Sequence, residues 1–259
     1  MKPVLQMLAI FVLFALLLLL VLRAIPIHVY DGFESPHLSG FRWLRRRFES
    51  GAVVSQTSVV RSGLRALAIT VHSGDRPEAA SQAGAATERD EIMEAWWLFS
   101  RAERTYVYSF SLYLPKDFPQ RAERLVIAQW RQLCERTCVP DNPILALRYE
   151  LGRLQVTRND EHGKTLLYQG DEDVRGRWLD FRFSARWDRT AEGTVDATLD
   201  GRGILHYEGA TIYQPGSGHP RYALIYSKTG LYRDALHEAP WTMYVDEYRK
   251  DQCDGTGCR

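Results

Sequence analysis

A small set of side chains in this sequence could bind an anion and transfer a proton. Arg89 carries a planar guanidinium, which can pair with a carboxylate through two hydrogen bonds. Gln129 lies in the strand-like run Leu125 to Trp130, where its amide could donate to the same group. Tyr232 follows Lys228 by four residues, and a nearby ammonium favours the phenolate that a tyrosine needs to act as a base. These residue types predict a site for an acidic ligand.

Each of these residues also has a purely structural interpretation. Arg89 lies in the acidic segment Thr87–Glu91, which could be a solvated group of ion pairs. Gln129 could be an ordinary residue of a packed strand, Tyr232 could pack under a loop, and Lys228 could simply be exposed. The sequence alone leaves these alternatives open.

The charge balance limits the kinds of ligand. The chain has 259 residues with 33 basic and 32 acidic side chains, so its formal net charge is +1. Nucleic-acid-binding domains usually carry a basic excess, so we expect no nucleic-acid partner. The length and the 45% hydrophobic content allow one large domain with a proper core, and the composition excludes a disordered chain. We expect a monomer.

The elements that must position these side chains follow a β pattern. The stretch from Leu179 to Trp187 alternates between apolar and polar side chains, which is the period of a half-buried strand. Asp200 and Gly201 lie between two strand-like runs and indicate a hairpin. Such runs recur with turns between them, which predicts an all-β sandwich of two antiparallel sheets. We place one domain over residues 27–259, with a flexible loop rich in Ser, Gly, Ala and Pro at about residues 73–86.

An apolar run precedes this domain. The stretch from Val4 to Leu22 is interrupted only by Gln6. A helix of about 19 residues just spans a hydrocarbon core of ~30 Å. We therefore predict an N-terminal hydrophobic helix over residues 1–25, either an uncleaved signal-anchor or a cleaved signal peptide. The domain would then be anchored to a membrane in the periplasm or extracellular space, or secreted if the segment is cleaved.

The four cysteines agree with export. Cys134 and Cys138 flank a short loop, and Cys253 and Cys258 lie in a Gly-rich tail. An even number of cysteines beyond a membrane segment indicates disulfides, and two local bridges are the simplest of the three possible connectivities. A zinc site with four thiolates is the alternative, although the spacings are looser than is usual for zinc.

A series of short segments, taken in order, covers roughly residues 30–250. The segments are Asp31–Glu34, Ser58–Gly63, Ala66–Val71, Thr87–Glu91, Tyr108–Pro115, Leu125–Trp130, Asn142–Arg148, Gly176–Trp178, Leu199–Gly201, Lys228–Tyr232 and Asp246–Arg249. Together they resemble the polysaccharide lyases of the heparin lyase I and glucuronan lyase type. The resemblance implies a concanavalin-like β-jelly roll whose concave sheet binds an anionic, uronate-containing polysaccharide. The implied reaction is β-elimination, in which the C6 carboxylate is neutralised, a base removes the C5 proton and an acid assists the departing C4 oxygen.

The resemblance also implies roles for individual residues. Tyr232 matches the tyrosine that transfers the proton, and Lys228 completes the Lys-x-Gly-x-Tyr element beside it. Arg89, Gln129 and Arg131 would bind the substrate carboxylate or line neighbouring subsites.

One position departs from the family pattern. Heparin lyase I has a histidine directly after Gln-Trp, where this chain has Arg131, and an arginine cannot act as a base. Either Tyr232 takes both proton-transfer roles, or another histidine such as His206 or His219 enters the site, or the activity is absent.

Two other functions therefore stay open. The domain could be a non-catalytic carbohydrate-binding module on the same scaffold. It could also be a concanavalin-like glycoside hydrolase, which needs two carboxylates across the sugar, and Asp90 and Glu91 are the candidates.

The sequence indicates no certain cofactor. Asp31, Glu34 and Asp246 could together bind a structural calcium that joins the two ends of the domain, because calcium favours clustered oxygen ligands.

Overall fold

Antiparallel strands make up almost all the regular structure in the part of the protein that the structure describes. The computed structural model describes residues 7, 11, 13–14, 26–44, 48–76, 87–121, 124–134, 137–216, 218–235, 239–253 and 258. The first eight strands are β1 (His28–Asp31), β2 (Trp43–Leu44), β3 (Val53–Gln56), β4 (Ala66–Val71), β5 (Thr87–Glu94), β6 (Ser100–Arg101), β7 (Arg104–Tyr113) and β8 (Leu125–Gln132). The remaining strands are β9 (Leu145–Glu150), β10 (Arg153–Asp160), β11 (Gly163–Gln169), β12 (Trp178–Trp187), β13 (Thr194–Leu199), β14 (Arg202–Glu208), β15 (Leu224–Asp234) and β16 (Trp241–Gln252). A short 3-10 turn covers Trp96–Leu98.

The strands form two sheets. The first sheet has the order β14-β13-β12-β7-β16-β4-β3, and β1 also pairs with β16. The second sheet has the order β11-β10-β9-β8-β15-β5-β2, and β6 also pairs with β15. Apolar residues of both sheets share one core, so the predicted all-β sandwich of two antiparallel sheets is confirmed.

The alternation in the sequence explains how the sheets pack. On β12, Leu179, Phe181 and Phe183 are fully or almost fully buried, and the residues between them are half-buried on the other face. The hairpin between β13 and β14 turns at Asp200 and Gly201, which have φ angles of 51° and 77°. Glycine and aspartate tolerate this left-handed conformation, so the turn forms where the sequence predicts it.

A buried ion pair joins the two sheets. Lys250 on β16 donates to both carboxylate oxygens of Glu94 on β5, at 3.0 Å each. Tyr248 also donates its hydroxyl to Glu94, and it lies 3.0 Å from the Ser227 hydroxyl on β15. All four side chains are buried. Because charges are costly to bury without partners, this network fixes how β5 and β15 lie against the first sheet.

The prediction of an N-terminal hydrophobic helix is wrong for this fold. Most of residues 1–25 lie outside the described residues, and no helix in the described part of the chain is long and apolar enough to cross a membrane. The described side chains Met7, Phe11, Leu13 and Phe14 are exposed rather than packed in the core. An apolar run adds a helix to a fold mainly by burying one of its faces against other elements, which these side chains do not do.

The predicted flexible loop at residues 73–86 is described only at its beginning. Its residues 77–86 lie outside the described residues. The described beginning is a turn held by Gly74, whose backbone N–H donates to the Glu88 carboxylate at 2.8 Å.

Candidate active site

The candidate site lies on the second sheet, on the surface that points away from the core. On β15, Ile225 and Leu231 belong to the core, whereas Tyr226, Lys228 and Tyr232 alternate with them and point the other way. The strands β5, β15, β8 and β9 are neighbours in this sheet. We call their outward surface the site face. Four of the five predicted site residues (Arg89, Gln129, Lys228 and Tyr232) lie on two pairs of directly opposed positions.

Tyr232 lies between two arginines from the neighbouring strands. Arg89 is directly opposite on β5, and its guanidinium carbon is 4.3 Å from the centre of the Tyr232 ring. Arg124 approaches from the β8 side, with its guanidinium carbon 4.9 Å from the same centre. Arg124 is held by Asp234 through an ion pair of 2.6 Å. Cations close to an aromatic ring are attracted to its face, so both contacts favour this position of the ring.

Glu91, Lys228 and Gln129 form a second group, which we call the central cluster. The Lys228 ammonium is 3.6 Å from one Glu91 oxygen, and the Gln129 amide nitrogen donates to the other. All three side chains are buried. The carbonyl oxygen of Gln129 makes no hydrogen bond within the described structure. Lys228 is therefore buried rather than exposed, and it forms an ion pair with Glu91.

Arg131 also lies on the site face, two residues after Gln129 on β8. It is opposite Tyr226 on β15 and donates to both the side chain and the backbone oxygen of Asp141, the latter at 3.2 Å. Burial opposes its charge, but Tyr226 and Asp141 outweigh this effect and raise the pKa of the guanidinium. Arg131 therefore stays a cation and cannot serve as the missing base.

Neither candidate histidine replaces the family residue in the part of the chain described. His206 lies on β14, the edge strand of the other sheet, where Asp196 at 2.6 Å raises the pKa of the imidazole. His219 is buried, stacks on Tyr213 with ring centres 4.6 Å apart, and lies 3.0 Å from the backbone oxygen of Pro140. The groups described against Tyr232 are arginines, which leaves the tyrosine as the proton-transfer candidate.

The sequence interpretation missed two residues of the site face, Arg124 and Arg148. Arg148 lies on β9 between the core residues Leu147 and Tyr149, so strand alternation alone could have assigned it to the outward surface. It is buried, and its Nε donates to the Thr157 hydroxyl at 2.9 Å. Arg124 precedes β8 and gives no such signal, because only the register of β8 against β15 brings it to Tyr232.

An exposed aromatic patch lies at one edge of the second sheet. Trp96 and Trp97 follow β5, and Phe41 precedes β2, the edge strand that pairs with β5. Trp96 is 69% exposed and Phe41 is 71% exposed, and both rings pack against Trp97. Aromatic rings that stay exposed in contact with one another commonly mark a ligand-binding surface.

The two carboxylates considered for glycoside hydrolysis do not face one another. Asp90 and Glu91 are consecutive on β5, so their side chains point to opposite faces of the sheet. Asp90 accepts a hydrogen bond from the backbone of Glu49 at 2.7 Å, whereas Glu91 belongs to the central cluster. Burial and a hydrogen bond with Asp75 raise the pKa of Asp90 to about 8. This pair cannot flank one sugar ring as a hydrolase requires.

The three residues considered for calcium are already engaged by hydrogen-bond donors. Asp31 accepts from the Trp43 indole at 2.8 Å, and Glu34 accepts from the backbone of Leu64 at 2.9 Å. Asp246 accepts from the backbone N–H groups of the segment 61–62. Among the described residues, no three acidic, histidine or cysteine side chains are grouped to hold a metal ion. The calcium site stays a prediction, and these contacts add nothing to it.

The cysteines form the two local disulfides that the sequence favours. Cys134 is bonded to Cys138, and Cys253 is bonded to Cys258. The first bridge follows β8 directly and begins the loop that carries Asp141, the partner of Arg131. The loop thus holds an acidic group at one end of the site face.

Solved structures share this fold at low sequence identity. An endo-β-1,4-glucuronan lyase from the fungus Trichoderma reesei superposes with a TM-score of 0.66 and 17% identity, over 86% of this chain and 94% of that one. The alginate lyase AlgAT5, of polysaccharide lyase family 7, has a TM-score of 0.55 and 15% identity, over 80% and 84% of the two chains. The cellulose-induced protein Cip1 has a TM-score of 0.55 and 13% identity, over 86% and 96%. These likenesses establish the sandwich fold.

Family membership rests on the sequence. Comparison with curated proteins finds no match. A family model described as polysaccharide lyase matches residues 33–249, which include both strands that form the Tyr232 and Arg89 pair and all of the central cluster. The match covers most of the chain and agrees with the fold. The chain therefore belongs to the polysaccharide lyase family, carbon–oxygen lyases that cleave uronate-containing polysaccharides by β-elimination.

Proposed function

We propose that the protein cleaves a glucuronate-containing polysaccharide on the site face, with Tyr232 as the residue that transfers the proton. The observation that carries this proposal is the position of the Tyr232 ring between the guanidinium groups of Arg89 and Arg124. The two guanidinium groups place positive charge beside the residue that is to receive the C5 proton, where the substrate carboxylate must also bind. No other group described against the ring can accept a proton.

The reaction divides between binding and proton transfer. The Arg89 guanidinium and the second amide N–H of Gln129, the one not donated to Glu91, hold the uronate carboxylate and withdraw charge from it, so that the C5 proton becomes acidic. The Tyr232 phenolate removes that proton, and the electron pair of the C5–H bond forms a double bond between C4 and C5. The bond from C4 to its glycosidic oxygen breaks, and the tyrosine returns the proton to the departing oxygen. Tyr232 thus takes both proton roles, and Arg131 adds a cation where heparin lyase I has its histidine.

The central cluster supports this division. Because Glu91 accepts from the Gln129 amide nitrogen, it fixes the orientation of that amide on the site face. The ion pair with Lys228 keeps the buried carboxylate of Glu91 compensated. Lys228 and Glu91 are therefore positioning residues in this proposal rather than groups that touch the reacting atoms.

The test is a comparison of polymers and of two tyrosine variants. The wild-type domain is incubated with glucuronan, alginate, heparin and hyaluronan, and the ultraviolet absorbance of the unsaturated product is followed. Product should form from a glucuronate polymer and be lost in Tyr232→Phe. The matched control is Tyr30→Phe on β1, which removes an exposed hydroxyl from the other sheet. An unchanged rate in Tyr232→Phe would refute the role of this residue.

A non-catalytic binding module is the second candidate, and Arg131 at the family's histidine position is the observation that favours it. The same experiment separates the two functions. Binding of a polymer without unsaturated product, from every polymer tested, would support the module. New reducing ends without unsaturated product would indicate hydrolysis instead.

We also propose that the domain works in an oxidising compartment outside the cytosol. The two disulfides support this location, because such bonds persist mainly in exported proteins. Fractionation of the producing cells, with detection of the domain in the exported or cytosolic fraction, tests this proposal.

A further inference from the structure

Arg124 and Arg148 bring two like charges together on the site face. Arg148 lies opposite Val126 of β8, and Arg124 lies two residues before Val126 on the same side of the chain. Such diagonal neighbours on one face are about 7–8 Å apart between their backbones, within reach of long side chains. Both guanidinium groups can therefore reach the same small volume next to Tyr232.

The acidic partners of Arg124 and Arg148 in the described structure compensate the two positive charges only in part. Arg148 is buried, and its acidic partner Glu150 is 3.9 Å away, at the outer limit of an ion pair. Burial lowers the pKa of Arg148; Glu150 opposes this shift, and the charge of Arg124 adds to it. The Arg124 Nε is buried and makes no hydrogen bond in the described structure, although Nη2 of the same guanidinium donates to Asp234. Two guanidinium groups that lie close together, one of them with an unsatisfied N–H donor, raise the free energy of the folded protein unless an anion binds between them.

We propose that Arg124 and Arg148 form a second carboxylate site, which binds the uronate next to the one being cleaved. The inference rests on the proposed function and narrows its substrate to polymers with uronates at consecutive positions. Gln129 lies opposite Ala146 on β9, and Arg148 is two residues further along that strand. The backbones of Gln129 and Arg148 are therefore about 7–8 Å apart, the spacing of diagonal neighbours in a sheet, so the two sites lie side by side on the site face. Carboxylates on successive sugars of a polyuronate are separated by a similar distance, whereas alternating uronate and amino-sugar units leave the second site empty.

The experiment compares two probes that both contain glucuronate. Saturated oligoglucuronates carry a carboxylate on every sugar, and hyaluronan oligosaccharides of equal length carry one on every second sugar. Binding is measured by calorimetry at constant salt in the Tyr232→Phe background, which keeps the aromatic ring and leaves the probes uncut. Arg124→Gln should weaken binding of the oligoglucuronates about tenfold, the effect of one charge-assisted hydrogen bond, and leave hyaluronan binding almost unchanged.

Two further variants keep the result interpretable. Arg148→Lys retains the positive charge but lacks the several N–H donors of the guanidinium, which can bind Thr157 and the ligand at the same time. It should therefore also lose affinity for oligoglucuronates and not for hyaluronan, and it should disturb folding less than a neutral replacement. Arg182→Gln, which removes a charge from β12 in the other sheet, is the matched control and should leave both affinities unchanged.

Several results would overturn the second site. Equal losses for both probes would indicate general attraction of polyanions, and no loss for either probe would show that the arginines bind nothing. Failure of the background protein to bind oligoglucuronates would also overturn it. Failure of the proposed β-elimination is a separate outcome, because it would appear as wild-type protein that forms no unsaturated product from any polymer. If the arginine variants still lost affinity for the oligoglucuronates alone, the second site would be supported even without that activity.

Discussion

Replacement of Lys250 by methionine should destabilise the sandwich strongly. Lys250 and Glu94 are almost completely buried, and the ammonium is 3.0 Å from each Glu94 oxygen. Removal of one partner leaves the other charge buried without compensation, which typically costs about 3–5 kcal/mol. Tyr248 would still donate to Glu94, so we expect a loss at the lower end, about 3 kcal/mol. A typical domain is stable by about 5–15 kcal/mol, so the variant should fold but unfold at much lower denaturant concentration.

The assay is equilibrium unfolding in urea, followed by tryptophan fluorescence and by circular dichroism. The control is the double variant Glu94→Gln with Lys250→Met, which removes both charges and should recover most of the lost stability. Because the ion pair lies in the core and not on the site face, the folded fraction of each variant should keep its lyase activity. A loss below about 1 kcal/mol in Lys250→Met, or a double variant no more stable than the single one, would refute the reasoning.

Three further predictions concern other parts of the molecule. Burial and Asp75 raise the pKa of Asp90 from 3.8 to about 8 in the folded protein. The folded state therefore holds a proton that the unfolded state has lost, so the free energy of unfolding should fall as the pH rises between these two values. Urea titrations at several pH values should show this fall in the wild type and a flatter dependence in Asp90→Asn. Trp96→Ala should weaken binding of long polymers a few-fold and leave short oligosaccharides unaffected, as measured by affinity electrophoresis; equal effects on both would exclude the aromatic patch as a remote subsite. Replacement of both Cys134 and Cys138 by serine should lower the free energy of unfolding by about 2 kcal/mol, the chain-entropy effect of so short a loop, in thermal or urea unfolding.

Features that depend only on neighbouring residues could be predicted from the sequence. The alternation from Leu179 to Trp187 predicted the buried face of β12, and Asp200 with Gly201 predicted the hairpin that follows. The pairing of nearby cysteines was also predictable, because a short loop brings them together whatever the rest of the fold does. The element from Lys228 to Tyr232 lies on β15, in the middle of the site face.

The partners of the site residues could not be predicted, because strand register decides them. Gln129 and Glu91 are 38 positions apart and Lys250 and Glu94 are 156 apart, and only the order of strands in the sheets brings them together. Charged side chains also suggest an exposed surface in a sequence, whereas Glu91 and Lys250 are buried because each is paired. The N-terminal helix was predicted from hydrophobicity alone, which does not say what such a run packs against.

The late position of β15 and β16 has a consequence for synthesis of the enzyme. Each is the last strand in the chain to join its sheet, and each lies in the interior of that sheet, β15 between β8 and β5 and β16 between β7 and β4. Until the ribosome has completed both strands, each sheet remains two separate halves with unpaired edges, which are prone to aggregate. The two halves of each sheet can therefore join only after β15 and β16 have been translated, and a chain cut short before β15 would lack Lys228 and Tyr232 together with the strand that joins Arg89 to Gln129. A nascent chain therefore presents no complete site face to a polysaccharide until β15 has been synthesised.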